Sequence, residues 1–216
     1  GLKVNSFRKI GGKIILDGKQ VTLKDFIIYL KKEYSGSFVV QEKIHQHNWF
    51  GIFNESSLNT VRMLCYRSVT NNGIHVLHSV VRFGREGSVV DNQAAGGLSC
   101  GIRPDGKLND FCIDKSGNRY TGQPFLVKAA GQQVPGYEKM KDLAIAIAPK
   151  YFYHRLLGFD LCLDNEGNVR ILEINCKNIE INFLQMNNGP LFGLMTDEII
   201  QYCKINRKSV VFDFYI

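Results

Sequence analysis

Apolar and polar positions change places in short runs along most of the chain, and three stretches repeat at helical spacing. VNSFRKI and KIILDG flank Gly11 and Gly12, a pattern that predicts a β-hairpin closed by a Gly-Gly turn. A helix follows, with Thr22 as N-cap, Phe26, Ile27, Leu30 and Tyr34 recurring along it, and Ser35-Gly36-Ser37 as its stop. FVVQEKI, residues 38 to 44, reads as a buried strand.

Beyond Asn59 the pattern is largely antiparallel β. TVRMLCYRSV, the turn Asn71-Asn72-Gly73 and IHVLHSVVRFG come first, followed by GSVVDN and a Gly-rich stretch, with further turns at Pro104-Asp105-Gly106 and Ser116-Gly117-Asn118. Residues 137 to 156 form the longest helical segment, with Leu143, Ile147 and Leu156 on its buried side and Pro149 kinking or dividing it. LLGFDLCL and VRILEIN, joined by turn-forming DNEGN, predict another hairpin, and a last helix is expected near 196 to 206 with Thr196 as cap. Hairpins and helices alternate without βαβ regularity, so the expected class is α+β, a mainly antiparallel sheet with flanking helices. The best boundary is the strand 38 to 44. It separates a small hairpin-plus-helix portion, 1–37, from a larger unit, 38–216.

Composition narrows the class. With 216 residues, 44% of them hydrophobic, the chain can bury a substantial core. No apolar run reaches the length of a membrane span, and the polar start GLKVNSFRKIGGK lacks the apolar stretch of a secretory signal, so the expected location is cytoplasmic. The first residue is Gly1 and not Met, which raises the expectation of a longer natural chain. The cysteines at 65, 100, 112, 162, 176 and 203 form no CxxC pair and read as free thiols; the histidines at 45, 47, 75, 78 and 154 complete no zinc spacing. A net charge of +7 is spread without a dense basic run, which fits small anionic substrates and gives no specific sign of nucleic acid.

Candidate chemistry begins at LEIN. Alternation places Ile171, Glu173 and Asn175 on one face of their strand. If the hairpin loop is Asn165 to Asn168, Asp164 faces Val169 and Asp160 falls directly opposite Glu173; a loop of odd length would send the acids to opposite faces. Directly paired side chains lie about 4.5–5.5 Å apart at Cβ. Two carboxylates and an amide at that separation suit a hard cation, Mg²⁺ or Mn²⁺, which takes its remaining ligands from phosphate and so points to a nucleotide. The competing reading is a solvated hairpin face. Arg62 and Arg82 each interrupt an apolar strand and need anionic partners, either a ligand or a structural salt bridge. In DNQAAGG, residues 91 to 97, the glycines permit close backbone approach to a ligand. His45, His47, His78 and Cys176 carry less weight, having no catalytic partner at local spacing.

FVVQEKIHQH, NTVRMLCY, VVRFGREGSVVDNQAAGG, GFDLCL and LEIN, taken in this order, resemble the ATP-grasp superfamily over residues 38 to 185. The likeness is greatest to its sugar-transfer-associated branch, found with surface-polysaccharide genes. The resemblance implies that the backbone of Gln41, Glu42, Lys43 and Ile44 binds adenine and that Arg62 and Arg82 stabilise phosphate or a developing acyl phosphate. It also implies that Asn92, Gly96 and Gly97 lie beside the acyl-phosphate site, and that Asp160, Glu173 and Asn175 hold one or two Mg²⁺ ions. The first portion would then be part of a lid. ATP and Mg²⁺ (or Mn²⁺) are the implied cofactors, and a carboxylate and an amine, amino acid and amino sugar at the family level, are the implied substrates. The implied activity is ATP-dependent carboxylate-amine ligation, with a kinase-like phosphotransferase or a non-catalytic nucleotide- or polyanion-binding module as alternatives. One departure is plain: the family's upstream lysine and Gly-rich phosphate loop are not found, and Gly12-Lys13 reads as a hairpin turn.

Overall fold

Two glycines in the left-handed region open the chain's first sheet. Gly11 and Gly12, at φ +55° and +81°, supply the turn geometry a two-residue hairpin needs, and Ile10 pairs with Lys13 across it. In the computed structural model, which describes residues 5–16, 18–34, 38–84, 96–177 and 179–206, this hairpin is β1 (Phe7–Ile10) and β2 (Lys13–Leu16). A third strand, β3 (Lys19–Val21), adds to it antiparallel; three residues, two of them polar, are too few to show a period in the sequence. Helix α1 (Leu23–Glu33) starts as expected, with Thr22 Oγ1 accepting from the Asp25 amide at 3.1 Å. Its one buried residue, Phe26, meets Phe7 at 4.6 Å between ring centroids.

The chain divides into two units, one ending at Ile44 and the other beginning at His45. The expected strand 38–44 does not form. These residues join no ladder, and Val39 and Val40 are 80% and 58% exposed. An apolar run becomes a strand only where an edge is there to pair with it, and among the described residues none is.

The second unit is a seven-stranded antiparallel sheet ordered β10-β9-β4-β5-β6-β7-β8. In chain order its elements are α2 (Asn48–Gly51), β4 (Thr60–Arg67), β5 (Ile74–Phe83), β6 (Leu98–Ile102), β7 (Leu108–Ile113) and β8 (Arg119–Thr121). Helices α3 (Pro124–Ala129) and α4 (Tyr137–Ile147), strands β9 (Leu156–Leu163) and β10 (Val169–Asn175), and helices α5 (Ile181–Asn188) and α6 (Thr196–Ile205) complete it. Alternation sorts β4 cleanly: Val61, Met63 and Cys65 enter the main core with Phe50, Phe159, Leu161 and Met140, while Leu64 enters a smaller one with Val80, Phe183 and Leu184 of α5. The stretch GSVVDN lies outside the described residues.

Helix α4 stops at Ile147 and a 3-10 turn, Ala148–Lys150, carries Pro149, so Leu156 belongs to β9 and not to the helix. Its buried face is Tyr137, Met140 and Ala144, one step round from Leu143 and Ile147. Thr196 does not cap α6: its hydroxyl donates to the Gly193 carbonyl at 2.7 Å, continuing the preceding 3-10 turn. The helix is anchored instead by Glu198, whose Oε1 accepts from the Tyr66 hydroxyl, the Ser68 hydroxyl and the Val69 amide, each at 2.8 Å. Burial works to raise the Glu198 pKa, but these hydrogen bonds outweigh it and hold the group below its ordinary value. With the folded pKa depressed, the stabilisation is complete above the unfolded-state value and is lost as pH falls through the folded one. Glu198→Ala is expected to cost about 2 kcal/mol in urea unfolding and to speed amide exchange along α6.

Candidate functional site

The β9–β10 hairpin fixes the acids, by a route the sequence pattern conceals. Val169 pairs with Leu163, so the loop runs from Asp164 to Asn168 and is odd in length. Asp164 organises it, accepting from the amides of Glu166 and Asn168 at 3.1 and 2.8 Å and from Arg170 Nε at 2.8 Å. Burial works to raise the Asp164 pKa, yet these donors and the Asn168 side chain hold it below the ordinary carboxylate value. An odd loop alone would separate the acids, but a bulge at Leu172 restores the phase: Ile171 pairs with Leu161, and Glu173 with Asp160. Core packing records the flip, with Val169 and Ile171 facing the main core before the bulge and Ile174 and Cys176 after it. Ile171 therefore does not share a face with Glu173 and Asn175. Both of those point to the opposite side of the sheet, the side that also carries Asp160.

Asp160 is 4% exposed and is held by both candidate arginines. Its direct neighbour across β4 is Arg62, which donates through Nε to Oδ1 and through Nη2 to Oδ2 at 2.9 Å, a two-pronged pair. The third nitrogen, Nη1, donates to the Ile179 carbonyl at 3.0 Å, and the guanidinium lies 5.9 Å from the Phe183 ring centre on α5. Arg82 reaches the same Oδ2 at 3.1 Å and donates to Thr60 Oγ1 at 3.1 and 3.2 Å, Thr60 being its partner across the ladder. The anion that both arginines require is thus Asp160.

Asn175 pairs with Gly158 and donates through Nδ2 to the Gly158 carbonyl at 3.3 Å, so its amide oxygen is the end left for a ligand. Glu173 is exposed and has no hydrogen-bond or ion-pair partner among the described residues. Of about four acceptor positions on the Asp160 carboxylate, the arginines take both on Oδ2 and one on Oδ1. One position on Oδ1 remains. Among the described residues no three of His, Cys, Asp and Glu cluster as a metal centre; two carboxylates and one amide form the candidate donor set. That set fits Mg²⁺, which accepts few protein oxygens and takes the rest from phosphate and water.

Two site elements escape a reading from residue types alone. Ile179, whose carbonyl orients Arg62, carries no chemical signal. Gly158 does carry one, a glycine inside an apolar strand: a Cβ there would meet Ile179 Cγ2 at 3.0 Å, Asn175 Cβ at 3.5 Å and Arg62 Cδ at 3.6 Å. Gly158→Val is expected to cost about 1–3 kcal/mol in thermal unfolding, with Gly158→Ala closer to the parent, because a lone Cβ asks Ile179 for a small shift and the two further methyls of Val ask for a larger one.

Of the remaining candidates, Gly96 has φ +90° and Gly97 is buried just ahead of β6, while Asn92 lies outside the described residues. Gln41, Glu42 and Lys43 are exposed and Ile44 half-buried, on backbone that joins no ladder. Two of the histidines have structural partners: His47 Nδ1 accepts from the Trp49 amide at 3.2 Å to cap α2, and His78 Nε2 lies 3.0 Å from the Pro190 carbonyl. All six cysteines are free, and burial raises the pKa of Cys176, which gives it no nucleophilic character.

A large antiparallel sheet with flanking helices is consistent with the ATP-grasp class, whose members typically bind ATP and a divalent metal. The family model described as sugar-transfer associated ATP-grasp matches residues 4–199, and the chain belongs to that family. Neither the curated proteins nor the solved structures compared with it gave a match. Among the described residues no helix is long and apolar enough to cross a membrane.

Proposed function

We propose that the protein is an ATP-dependent carboxylate-amine ligase that works through an acyl phosphate and modifies or builds surface polysaccharide. The observation that carries this reading is the register of β9 and β10, which sets Glu173 opposite Asp160 and Asn175 opposite Gly158 on the sheet face of Arg62 and Arg82. Asp160, Glu173 and Asn175 would hold Mg²⁺, which would supply positive charge to offset that of phosphate.

The chain's own residues do the rest. Arg62, tied at every nitrogen, holds the Asp160 carboxylate in one orientation. Arg82 is the more exposed of the two and presents its charge to phosphate oxygens from across the sheet. The backbone of Gln41 to Ile44 would bind adenine, and Asn92, Gly96 and Gly97 would flank the transferred group. Residues 1–37 would serve as part of a lid, and 38–216 as the portion bearing the phosphate and metal site. The substrates are read as an amino acid and an amino sugar, in the cytoplasm.

The test is ADP and phosphate release by the full-length protein with Mg²⁺-ATP against a panel of amino acids and amino sugars. Release of both in equal amounts, dependent on an acid and an amine together, is expected. ADP without free phosphate would mark a hydroxyl phosphotransferase instead, and no turnover with intact folding would mark a binding module.

A further inference from the structure

Helix α1 has an inner side and an outer side of different chemistry. At four-residue spacing its side chains form rows along the axis. The row Phe26, Leu30, Tyr34 faces inward: Phe26 is buried and meets Phe7, and the other two are half-buried. The two outer rows, Leu23-Ile27-Lys31 and Lys24-Ile28-Lys32, are exposed at all six positions. Leu23, Ile27 and Ile28 are 65%, 42% and 54% exposed, an unusual outlay of large aliphatic side chains on one short helix. The helix's two acids, Asp25 and Glu33, share the remaining row with Tyr29, and Asp25 accepts from the Thr22 hydroxyl at 2.6 Å at the N-cap. The outer half therefore interleaves three aliphatic side chains with three lysines and holds no acid.

Charge is concentrated in the same unit, although no dense run announces it. Residues 1–44 hold nine Lys and Arg against four Asp and Glu, a net +5 of the chain's +7, so the far longer second unit carries only +2.

Three occupants differ in what they ask of such a face. A second copy, meeting it about a two-fold axis, would set lysines against lysines with no acid between them. A nucleic acid suits the charge but gains little from Leu and Ile, since bases stack on aromatic rings and neither outer row has one. An anionic bilayer suits both, because aliphatic side chains enter the acyl boundary while lysine stems reach back to the headgroups. A helix of 11 residues is about 16 Å long, too short to cross the hydrocarbon layer, so it would lie along the surface.

We propose that the outer face of α1 docks on an anionic lipid bilayer, with Leu23, Ile27 and Ile28 at the headgroup boundary and Lys24, Lys31 and Lys32 on lipid phosphates. The net positive charge of the unit steers it there. The proposal goes beyond the ligase reading and does not depend on it, because binding is measured without nucleotide.

Flotation of the full-length protein with vesicles of phosphatidylcholine containing phosphatidylglycerol as the minor lipid, against phosphatidylcholine alone, tests it. Binding to the mixed vesicles is expected to be about tenfold stronger or more and to weaken as salt rises. Lys24→Gln with Lys31→Gln should weaken it about twentyfold, at about fivefold per lysine. Ile27→Gln with Ile28→Gln should weaken it about tenfold or more. Both pairs should leave thermal unfolding unchanged, since all four side chains are exposed. Equal binding to the two kinds of vesicle, binding to neither, or binding that either pair of changes leaves intact would overturn the assignment. So would a dimer formed without vesicles and dissociated by Ile27→Gln with Ile28→Gln, which would give the face to a second copy, or tighter retention by single-stranded RNA than by the mixed vesicles.

Discussion

Replacing Arg62 with Ala lowers stability by about 3–5 kcal/mol, which for a chain of this size moves thermal unfolding down by roughly 6–20 °C. The magnitude follows from what is left behind. Arg62 and Asp160 are both 4% exposed, and the pair sits in direct cross-strand register between β4 and β9, inside the sheet. Without Arg62, Asp160 keeps a single contact from Arg82, and the Ile179 carbonyl loses its donor. Arg62→Lys restores the charge but not the planar fork, and should recover only part of the loss. Arg62→Leu combined with Asp160→Leu should cost clearly less than the two single changes added together, because the double variant buries no orphaned Asp160 carboxylate. Additive losses, or an Arg62→Ala loss below about 1 kcal/mol in urea unfolding, would show that the pair is no structural clamp.

This clamp bears on how much of the site the sequence reveals. Arg62 and Arg82 announce themselves as charges inside apolar strands, and the need for an anion is legible from that alone. Which anion is not, since the β4–β9 pairing joins positions nearly a hundred residues apart and no local period encodes it. The acid pair shows the same division more sharply. The sequence predicts Asp160 opposite Glu173 through an even loop; the protein reaches that pairing through an odd loop and a bulge whose offsets cancel. Period-two reasoning finds the right partners because those two offsets cancel, although the apolar residues mark a different phase on each side of the bulge, Val169 and Ile171 before it, Ile174 and Cys176 after. It misplaces Ile171 because it carries one phase through.

The hairpin at Gly11-Gly12 and the cap at Thr22 are readable for a different reason: both are settled within four residues by backbone conformation and a single side chain. Residues 38–44 fail for the converse reason. Val39 and Val40 have the composition of a strand, but the partner edge is a property of the fold and not of the segment. The segment ahead of β4 shows the same limit. Asn59 Nδ2 donates to the Gln46 side chain and to the Phe50 and Asn54 carbonyls, a buried polar knot that starts β4 at Thr60, and nothing in the spacing of three amides forecasts it.

Glu173→Gln separates the catalytic proposal from the structural one, because Glu173 differs from Asp160 in the respect that matters. It is exposed and makes no ion pair or hydrogen bond with any described residue, so the isosteric change should leave unfolding within about 0.5 kcal/mol of the parent. If Glu173 completes a divalent-ion site with Asp160 and Asn175, losing its charge removes several kcal/mol of phosphate-charge stabilisation, and acceptor-dependent ADP release should fall about a hundredfold or more. The Mg²⁺ concentration for half-maximal nucleotide binding should rise with it, which a charge acting only at long range would barely move. Asn175→Asp is the companion change: a carboxylate beside Gly158 loses the donor to that carbonyl but adds charge to the site, so Mg²⁺ demand should fall while stability drops slightly. Parent-like turnover and Mg²⁺ dependence in Glu173→Gln would return the hairpin acids to ordinary surface, leaving Arg62, Arg82 and Asp160 as a buried ion cluster that holds the sheet together.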